Sequence, residues 1–253
     1  MDLPDHVREP TPPRAADGFV SFPPVEYAAQ PVEVARPEST FLQRVFFWMF
    51  IGLAITGGVA AAIGSSDSLL TKITQTPGIV LGVVVAQLAL VLLLVFLLPK
   101  ISVGLATFLF LLYSATVGVT FAFLFELYTT QSIFTAFLIT AGMFGALAVW
   151  GAVTHIDLSK VGSIAFMALI GLILATVVNV FWANSTLYWI TTYAGVAIFA
   201  ALTAYDMQKL VQINQQGLTG EAEGRAAIMG ALALYLDFIN LFLFLLRIFG
   251  QSR

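Results

Sequence analysis

Two aspartates stand inside long apolar stretches of the sequence, Asp206 in TAYDMQKL and Asp237 in ALYLDFINLF. An aspartate in the middle of a bilayer costs about 2.5–3.5 kcal/mol on insertion scales, so an acid at such a position usually serves a function. If the two helices that carry these residues are consecutive and antiparallel, both carboxylates lie in the same half of the membrane. We therefore expect the two side chains to face each other.

The expected depth of the two aspartates follows from where the apolar stretches end. If the first helix leaves the membrane near Ile213, Asp206 lies about 10 Å below that end at 1.5 Å per residue. If the next helix enters near Ala227, Asp237 lies about 15 Å inside by the same rise. Asn240 follows three residues after Asp237 on the same helical face, so it is a candidate hydrogen-bond partner or ion ligand.

Two carboxylates in a low dielectric cannot both ionise without a large electrostatic cost, so we expect the pair to share a proton and titrate as a unit. Such a pair can sense pH, and it offers oxygen ligands to a cation once both protons have left. Asp206 has an alternative partner in Lys209, three residues later on the helix. Asp237 has no cation nearby along its helix, since Arg247 lies about 15 Å away.

Other chemically reactive residues are scarce in this sequence. It has no cysteine, and its two histidines, His6 and His155, both lie outside the apolar stretches. These features exclude disulfides, thiolate metal sites, cysteine nucleophiles and an HExxH zinc site. The net charge of −3 argues against nucleic acid as a partner. We therefore predict no cofactor and no nucleic-acid partner.

The elements that must position the two aspartates are membrane spans. Hydrophobic residues make up 59% of the 253-residue chain and charged residues 10%, whereas soluble proteins have about 45–50% and about 25%. Backbone groups in lipid must be satisfied within each segment, so the spans are helices of about 20 residues. The apolar stretches cover residues 43–63, 78–98, 102–125, 131–153, 161–183, 189–212 and 227–249. The sequence thus predicts an all-α integral membrane protein with seven transmembrane helices; the alternative is six, with the last stretch re-entrant.

Residues 1–38 have a different composition and hold eight of the ten prolines. A segment with so little hydrophobic surface does not fold by itself. We predict a disordered, Pro-rich cytosolic tail over 1–38, which is a candidate surface for protein partners, and a transmembrane domain over 39–253. Near the span ends, six Lys and Arg residues lie on the N-terminal side and three on the other, which predicts a cytosolic N-terminus.

The two aspartate motifs resemble those of the Bax inhibitor-one family, also called the transmembrane Bax inhibitor motif proteins. The resemblance is carried by TAYDMQKL in the sixth span and LYLDFINLFLFLLRIFG in the seventh, with DLSKVGSIAFMALIGLILATVVNVFW around the fifth, and covers roughly residues 41–250. It implies a bundle whose last helix is central and ringed by the other six. It also implies a pH-sensitive calcium leak in which Asp206 and Asp237 form a proton-sharing pair and are candidate calcium ligands.

The sequence departs from this family in its second span. Some members carry an arginine there that contacts the aspartates, whereas the stretch 78–98 has no basic residue and one polar side chain, Gln87. Gating is therefore expected to differ from that of such relatives. From the overall character of the sequence we predict a multi-pass protein of a bacterial inner membrane.

Three other functions fit parts of the pattern. Paired intramembrane aspartates, the first preceded by a tyrosine as at Tyr205, are also typical of intramembrane aspartyl proteases, whose shared-proton dyad activates water. In that family the second aspartate follows a Gly-x-Gly turn, whereas Leu-Tyr-Leu precedes Asp237 here, so we predict no enzyme. A regulatory membrane protein that acts through partner binding stays open. A proton-coupled transporter is disfavoured. Such proteins often bind their substrate at a helix that proline or clustered glycine interrupts, and no span here has such an interruption in its middle.

Overall fold

The computed structural model describes residues 39–251, and the predicted tail over 1–38 lies outside them. The described part of the chain is all-helical, with a short 3-10 turn at Leu98–Lys100. Its α-helices are α1 (Ser39–Gly64), α2 (Asp67–Thr74), α3 (Pro77–Leu97), α4 (Val103–Ala122), α5 (Leu124–Leu127), α6 (Thr130–Val153), α7 (Ser159–Trp182), α8 (Ser185–Gln215) and α9 (Gly220–Phe249). Within residues 39–251, seven helical segments are long and apolar enough to cross a membrane, namely α1, α3, α4 together with α5, α6, α7, α8 and α9. The predicted fold class and number of spans are confirmed.

The last helix, α9, forms the centre of the bundle. In its most apolar stretch 67% of the residues are buried, against 6% in α3 and 11% in α7. It packs against α1, α4, α6 and α8. The expected central position of the last helix is therefore confirmed, but the ring around it is incomplete, because α3 packs mainly on α4 and α7 mainly on α8.

Polar side chains just before three of the spans act as helix caps. The side chains of Ser102, Thr129 and Asn184 each accept a hydrogen bond from the backbone N–H three residues later, at 3.4, 3.2 and 2.9 Å. Such bonds satisfy backbone donors that lack a partner in the first turn of a helix. The sequence therefore sets where α4, α6 and α8 begin.

The two helices that carry the aspartates are longer than the sequence predicted. α8 continues to Gln215, and α9 begins at Gly220 instead of near Ala227. The acidic start of α9 is helical because negative charge is favourable at a helix N-terminus, and Arg225 Nη1 donates to Glu221 Oε2 at 2.7 Å. The re-entrant alternative is wrong, since α9 runs without interruption from the polar turn to its end.

Contacts between distant parts of the chain define two ends of the bundle. At one end, called here the Arg44 end, Arg44 Nη1 donates to Glu223 Oε1 at 3.2 Å and joins the second turn of α1 to the first turn of α9. At the other, the Gln251 end, the Gln251 N–H donates to Ser132 Oγ at 3.0 Å and the Thr129 N–H donates to the Gln251 carbonyl at 3.3 Å. The start of α1 and the residue after α9 thus lie at opposite ends, as an odd number of spans requires.

Candidate functional site

Asp206 and Asp237 line one cavity of about 1000 Å³, which lies between α3, α7, α8 and α9. The two carboxyl groups are close enough to interact electrostatically. Asn240 and Lys209 line the same cavity. The structure therefore brings together the three residues that the sequence singled out for proton sensing and ion binding.

Asp206 is positioned by close helix contacts on two sides of α8. Gly151 of α6 lies against the backbone carbonyl of Ala204, and Gly162 of α7 lies against the ring of Tyr205. A Cβ atom at either glycine would collide with these neighbours. Small residues at such crossings let membrane helices approach closely, and these two glycines hold the stretch of α8 that carries Asp206.

Gln208 fixes the same stretch of α8 to the loop between α6 and α7. Its Oε1 accepts from the Leu158 N–H at 2.9 Å and its Nε2 donates to the Ile156 carbonyl at 2.8 Å. The side chain is buried. Gln208 was not among the candidates predicted from the sequence, although a glutamine two positions after an intramembrane aspartate indicates that this part of α8 faces protein on more than one side.

The rotation of α9 is set by Tyr235, which is fully buried. Its ring makes edge contacts with Phe110 and Tyr113, at centroid distances of 5.6 and 6.0 Å. Its hydroxyl lies 2.6 Å from Thr56 Oγ1, which itself donates to the Ser114 carbonyl at 2.8 Å. Since the threonine proton is used in that bond, Tyr235 is the donor to Thr56. A helix turns by about 200° over two residues, so this anchor points the aspartate two positions later into the cavity.

Asp237 is buried with one oxygen unsatisfied. Its side chain is 4% exposed, and Oδ2 finds no hydrogen-bond donor in the described part of the chain. Within residues 39–251, no basic nitrogen lies within 4.0 Å of either cavity carboxylate. The alternative in which Asp206 pairs with Lys209 is therefore not realised as an ion pair, although the Lys209 ammonium is near enough to attract Asp206.

Asn240 lies three residues after Asp237 on the cavity side of α9, in agreement with its helical spacing. Its Nδ2 donates to the Leu236 carbonyl at 2.8 Å. One of the two amide protons thus bonds its own helix, and Asp237 Oδ2 receives no bond from the other.

The two aspartates lie at depths that differ by about one helical turn. Leu210 of α8 packs against Gly230 of α9 and provides a common level. Asp206 lies four residues from this level and Asp237 seven residues, so Asp237 is about 4.5 Å farther from the Arg44 end at 1.5 Å per residue. This stagger agrees with the depths of about 10 and 15 Å that were expected from the ends of the apolar stretches.

The second span contributes no basic side chain to the cavity, as the sequence indicated. Gln87 of α3 faces α4, where its Nε2 donates to the Thr116 carbonyl at 2.7 Å and to Thr120 Oγ1 at 2.6 Å. In the part of the chain that the structure describes, no cluster of three or more His, Asp or Glu side chains could hold a resident metal ion. The site is therefore a pair of acids in an otherwise largely apolar cavity.

Comparisons with known proteins place this architecture in a family. The model of the family described as "Inhibitor of apoptosis-promoting Bax1" matches residues 38–253. Inner membrane protein YbhL of Escherichia coli (strain K12) is 45% identical over 216 residues, which cover 85% of this chain and 92% of the relative. Proteins named as uncharacterized from Deinococcus radiodurans and Borreliella burgdorferi are 43% identical over 214 residues and 42% over 218, covering 85% of this chain and 91% and 94% of their own lengths. The chain therefore belongs to the Bax inhibitor-1 family of membrane proteins.

Proposed function

We propose that this protein is a pH-sensitive leak pathway for cations, with calcium as the permeant ion. The observation that carries the proposal is the buried Asp237 carboxyl, whose Oδ2 has no partner among the described residues, in a cavity that Asp206 also lines. A buried carboxylate without a compensating partner is costly, and a shared proton or a cation removes that cost. The site is thus suited to exchange a proton for a cation.

In the proposed closed state one proton is shared by Asp206 and Asp237. Loss of that proton leaves two negative charges that repel each other across the α8–α9 interface and attract a cation into the cavity. The two carboxylates and the Asn240 carbonyl provide fewer oxygen atoms than the six to eight that calcium usually takes. A calcium ion at this site therefore keeps part of its water shell, which suits an ion in passage better than a stored one.

The protein is proposed to act without enzymatic chemistry. In a protease the second aspartate must meet an extended substrate, whose backbone pairs with free N–H and C=O groups of the enzyme. Here α9 is helical on both sides of Asp237, so its backbone groups are already bonded within the helix. This continuity supports a gating role for the acid pair over activation of water for peptide cleavage.

The proposed location is the inner membrane of a bacterium, with the N-terminus and the Arg44 end in the cytosol. One relative at 45% identity is named as an inner membrane protein. Lys100, Lys160 and Arg225 follow or begin helices at the Arg44 end, and positive charge is favoured on the cytosolic side.

Calcium flux into proteoliposomes, measured from pH 5 to 8, tests the proposal. We expect a calcium leak in the wild type that increases as the acid pair loses its proton. In Asp206→Asn and Asp237→Asn the pH response is expected to flatten or shift. Glu126→Gln is the matched control, since Glu126 is an exposed acid at the other end of the bundle and should retain the wild-type profile.

Two results would contradict the proposal. One is a wild-type flux that does not exceed that of empty liposomes at any pH. The other is an unchanged pH profile in both aspartate variants. Partner binding would then become the leading function, and recovery of partners by the full chain but not by a variant lacking residues 1–38 would support it.

A further inference from the structure

Much of the wall of the acidic cavity is apolar and open to the side. α7 contributes Phe166, Ile173 and Val177, which are 60%, 54% and 51% exposed although they line the cavity. The facing helix α3 contributes Val95, which is 44% exposed. Because these wall residues are half exposed, the cavity is open along the flank between α3 and α7. That flank runs along the middle of α7 and reaches α3 near its last turn. Both helices are membrane spans, so lipid chains border the opening.

The ionisable groups of this cavity lie on α8 and α9, and α7 adds only the hydroxyl side chains of Ser163 and Thr176 to its apolar wall. Asp237 is 4% exposed with Oδ2 unpartnered, and Asp206 and Lys209 lie nearer the Arg44 end. With both acids ionised and Lys209 protonated, the formal charge of this group is −1. One monovalent cation neutralises it, and the unsatisfied oxygen needs a hydrogen-bond donor that the described residues do not provide.

We propose that the cavity binds a lipophilic amine, with its protonated nitrogen at Asp237 and Asp206 and its apolar body along the α7 wall. This inference shares the acid pair with the proposed leak function and adds a ligand class to the same site. An ammonium group supplies hydrogen-bond donors and a single positive charge. An alkyl or aromatic body covers apolar wall that a hydrated ion leaves in contact with water.

Other amphiphiles fit this cavity less well. A phosphate headgroup would bring negative charge next to two acids, and Lys209 is one cation against both of them. A neutral alcohol reaches the same apolar wall but gains no charge pairing. The open flank admits a ligand from the lipid phase, so the amine does not need to cross the polar ends of the bundle.

Protons compete with the amine for the acid pair. The titratable groups that line the cavity are Asp206, Lys209 and Tyr205 on α8 and Asp237 on α9. The lining residues of α3 and α7 include none. We therefore expect binding to strengthen from pH 5 to pH 8, since the acids lose protons over a range in which a primary alkylamine stays protonated.

Equilibrium binding of radiolabelled dodecylamine tests the inference, with the full chain in nanodiscs and empty nanodiscs subtracted. Dodecanol is the neutral control of equal chain length. At pH 8 we expect saturable binding of one dodecylamine per chain, weakened about tenfold or more in Asp237→Asn because a charge-assisted hydrogen bond is lost. Lys209→Met should tighten binding several-fold by removing a competing cation, and Glu126→Gln should leave it unchanged.

A second variant tests the apolar half of the site without altering the acids. Ile173→Trp adds bulk on the open wall, where a half-exposed side chain can be enlarged without disturbing the core, and should weaken dodecylamine binding. Equal saturable binding of dodecanol, or unchanged binding in both Asp237→Asn and Ile173→Trp, would overturn the inference, as would the absence of saturable binding.

Calcium flux measured on the same preparations separates this inference from the leak proposal. An aspartate-dependent leak with no saturable amine binding removes the inference and leaves the proposed function standing. Amine binding with no leak contradicts the proposed function and leaves the inference standing. Where both hold, dodecylamine should block the leak in the wild type and fail to block it in Ile173→Trp at the same concentration.

Discussion

The two sides of the central helix differ in how completely their polar groups are satisfied. On the side that faces α1 and α4, the Tyr235 hydroxyl donates to Thr56, which donates to the Ser114 carbonyl. On the other side, Asp237 is almost equally buried and has an oxygen without a partner. Two buried residues of one helix thus differ, because the polar group of Tyr235 has its hydrogen bond and that of Asp237 lacks one.

This difference shows how a membrane bundle separates structure from function. The satisfied side positions α9, since hydrogen bonds and close ring contacts permit one rotation of the helix. The unsatisfied side retains the Asp237 carboxyl, and only a proton or a ligand can remove the free-energy cost of burying it without a partner. The first side can therefore support the second without taking part in its chemistry.

The largest expected effect concerns the packed side. Tyr235→Ala removes a fully buried ring that contacts Phe110 and Tyr113, and such truncations cost about 3–5 kcal/mol of unfolding free energy. Thermal unfolding of the purified protein in one lipid–detergent mixture measures the loss. Phe249→Ala is the control, since Phe249 is an exposed aromatic residue of the same helix. Equal losses in the two variants would show that Tyr235 does not anchor α9.

The cavity side should respond in the opposite direction. Asp237→Leu replaces a buried carboxyl group with an unsatisfied oxygen by an apolar side chain of similar length, so we expect a gain of about 1–3 kcal/mol in stability. The same unfolding experiment measures it, together with loss of the pH-dependent leak. Glu126→Leu, at an exposed acid, should change stability by no more than about 0.5 kcal/mol. A destabilised Asp237→Leu would mean that the carboxyl is structurally satisfied.

A smaller effect is expected where α9 enters the bundle. Arg44 bonds Glu223 there, but half of the arginine side chain is exposed. Exposed ion pairs contribute about 0.2–1 kcal/mol, and this range is expected for the coupling energy from Arg44→Gln, Glu223→Gln and the double variant. A coupling above that range would show that the ion pair contributes to the position of α9 alongside Tyr235.

The smallest effect concerns an acid outside the spans. The Ser159 hydroxyl and backbone N–H hydrogen-bond Asp157 and hold the pKa of its carboxyl below the ordinary value. Because the folded pKa is the lower one, the stabilising contribution is present above the unfolded pKa and is lost as pH falls through the folded pKa. Asp157 is fully exposed to solvent, so the effect on stability is slight.

Carboxyl titration by ¹³C NMR measures this effect directly. Ser159→Ala should move the titration of Asp157 to higher pH, and Ser65→Ala, at the far end of the bundle, should leave it in place. An Asp157 titration that does not respond to Ser159→Ala would show that the hydrogen bonds do not set it. Asp157 is thus an exposed acid with its hydrogen-bond partners in place, whereas Asp237 is a buried acid with an oxygen that lacks one.

The sequence alone predicted the seven spans, the two acids and the family. Each span is a long apolar stretch between polar breaks, and its length is set by the thickness of the bilayer. The acids were visible because almost any charge inside such a stretch is anomalous. Caps such as Ser102 and Asn184 were also local features, which act through the backbone of the next turn. These features depend on residues close together in the chain.

Only the tertiary structure decided how the spans face one another. Several spans are largely apolar on all sides, as in α3 and α4, because lipid and protein interior are both apolar and the pattern does not mark the buried face. The roles of Tyr235 and Gln208 and the shared cavity of the two aspartates depend on contacts between different helices. The sequence determines which groups enter the membrane, and helix packing determines which of them lack a partner there.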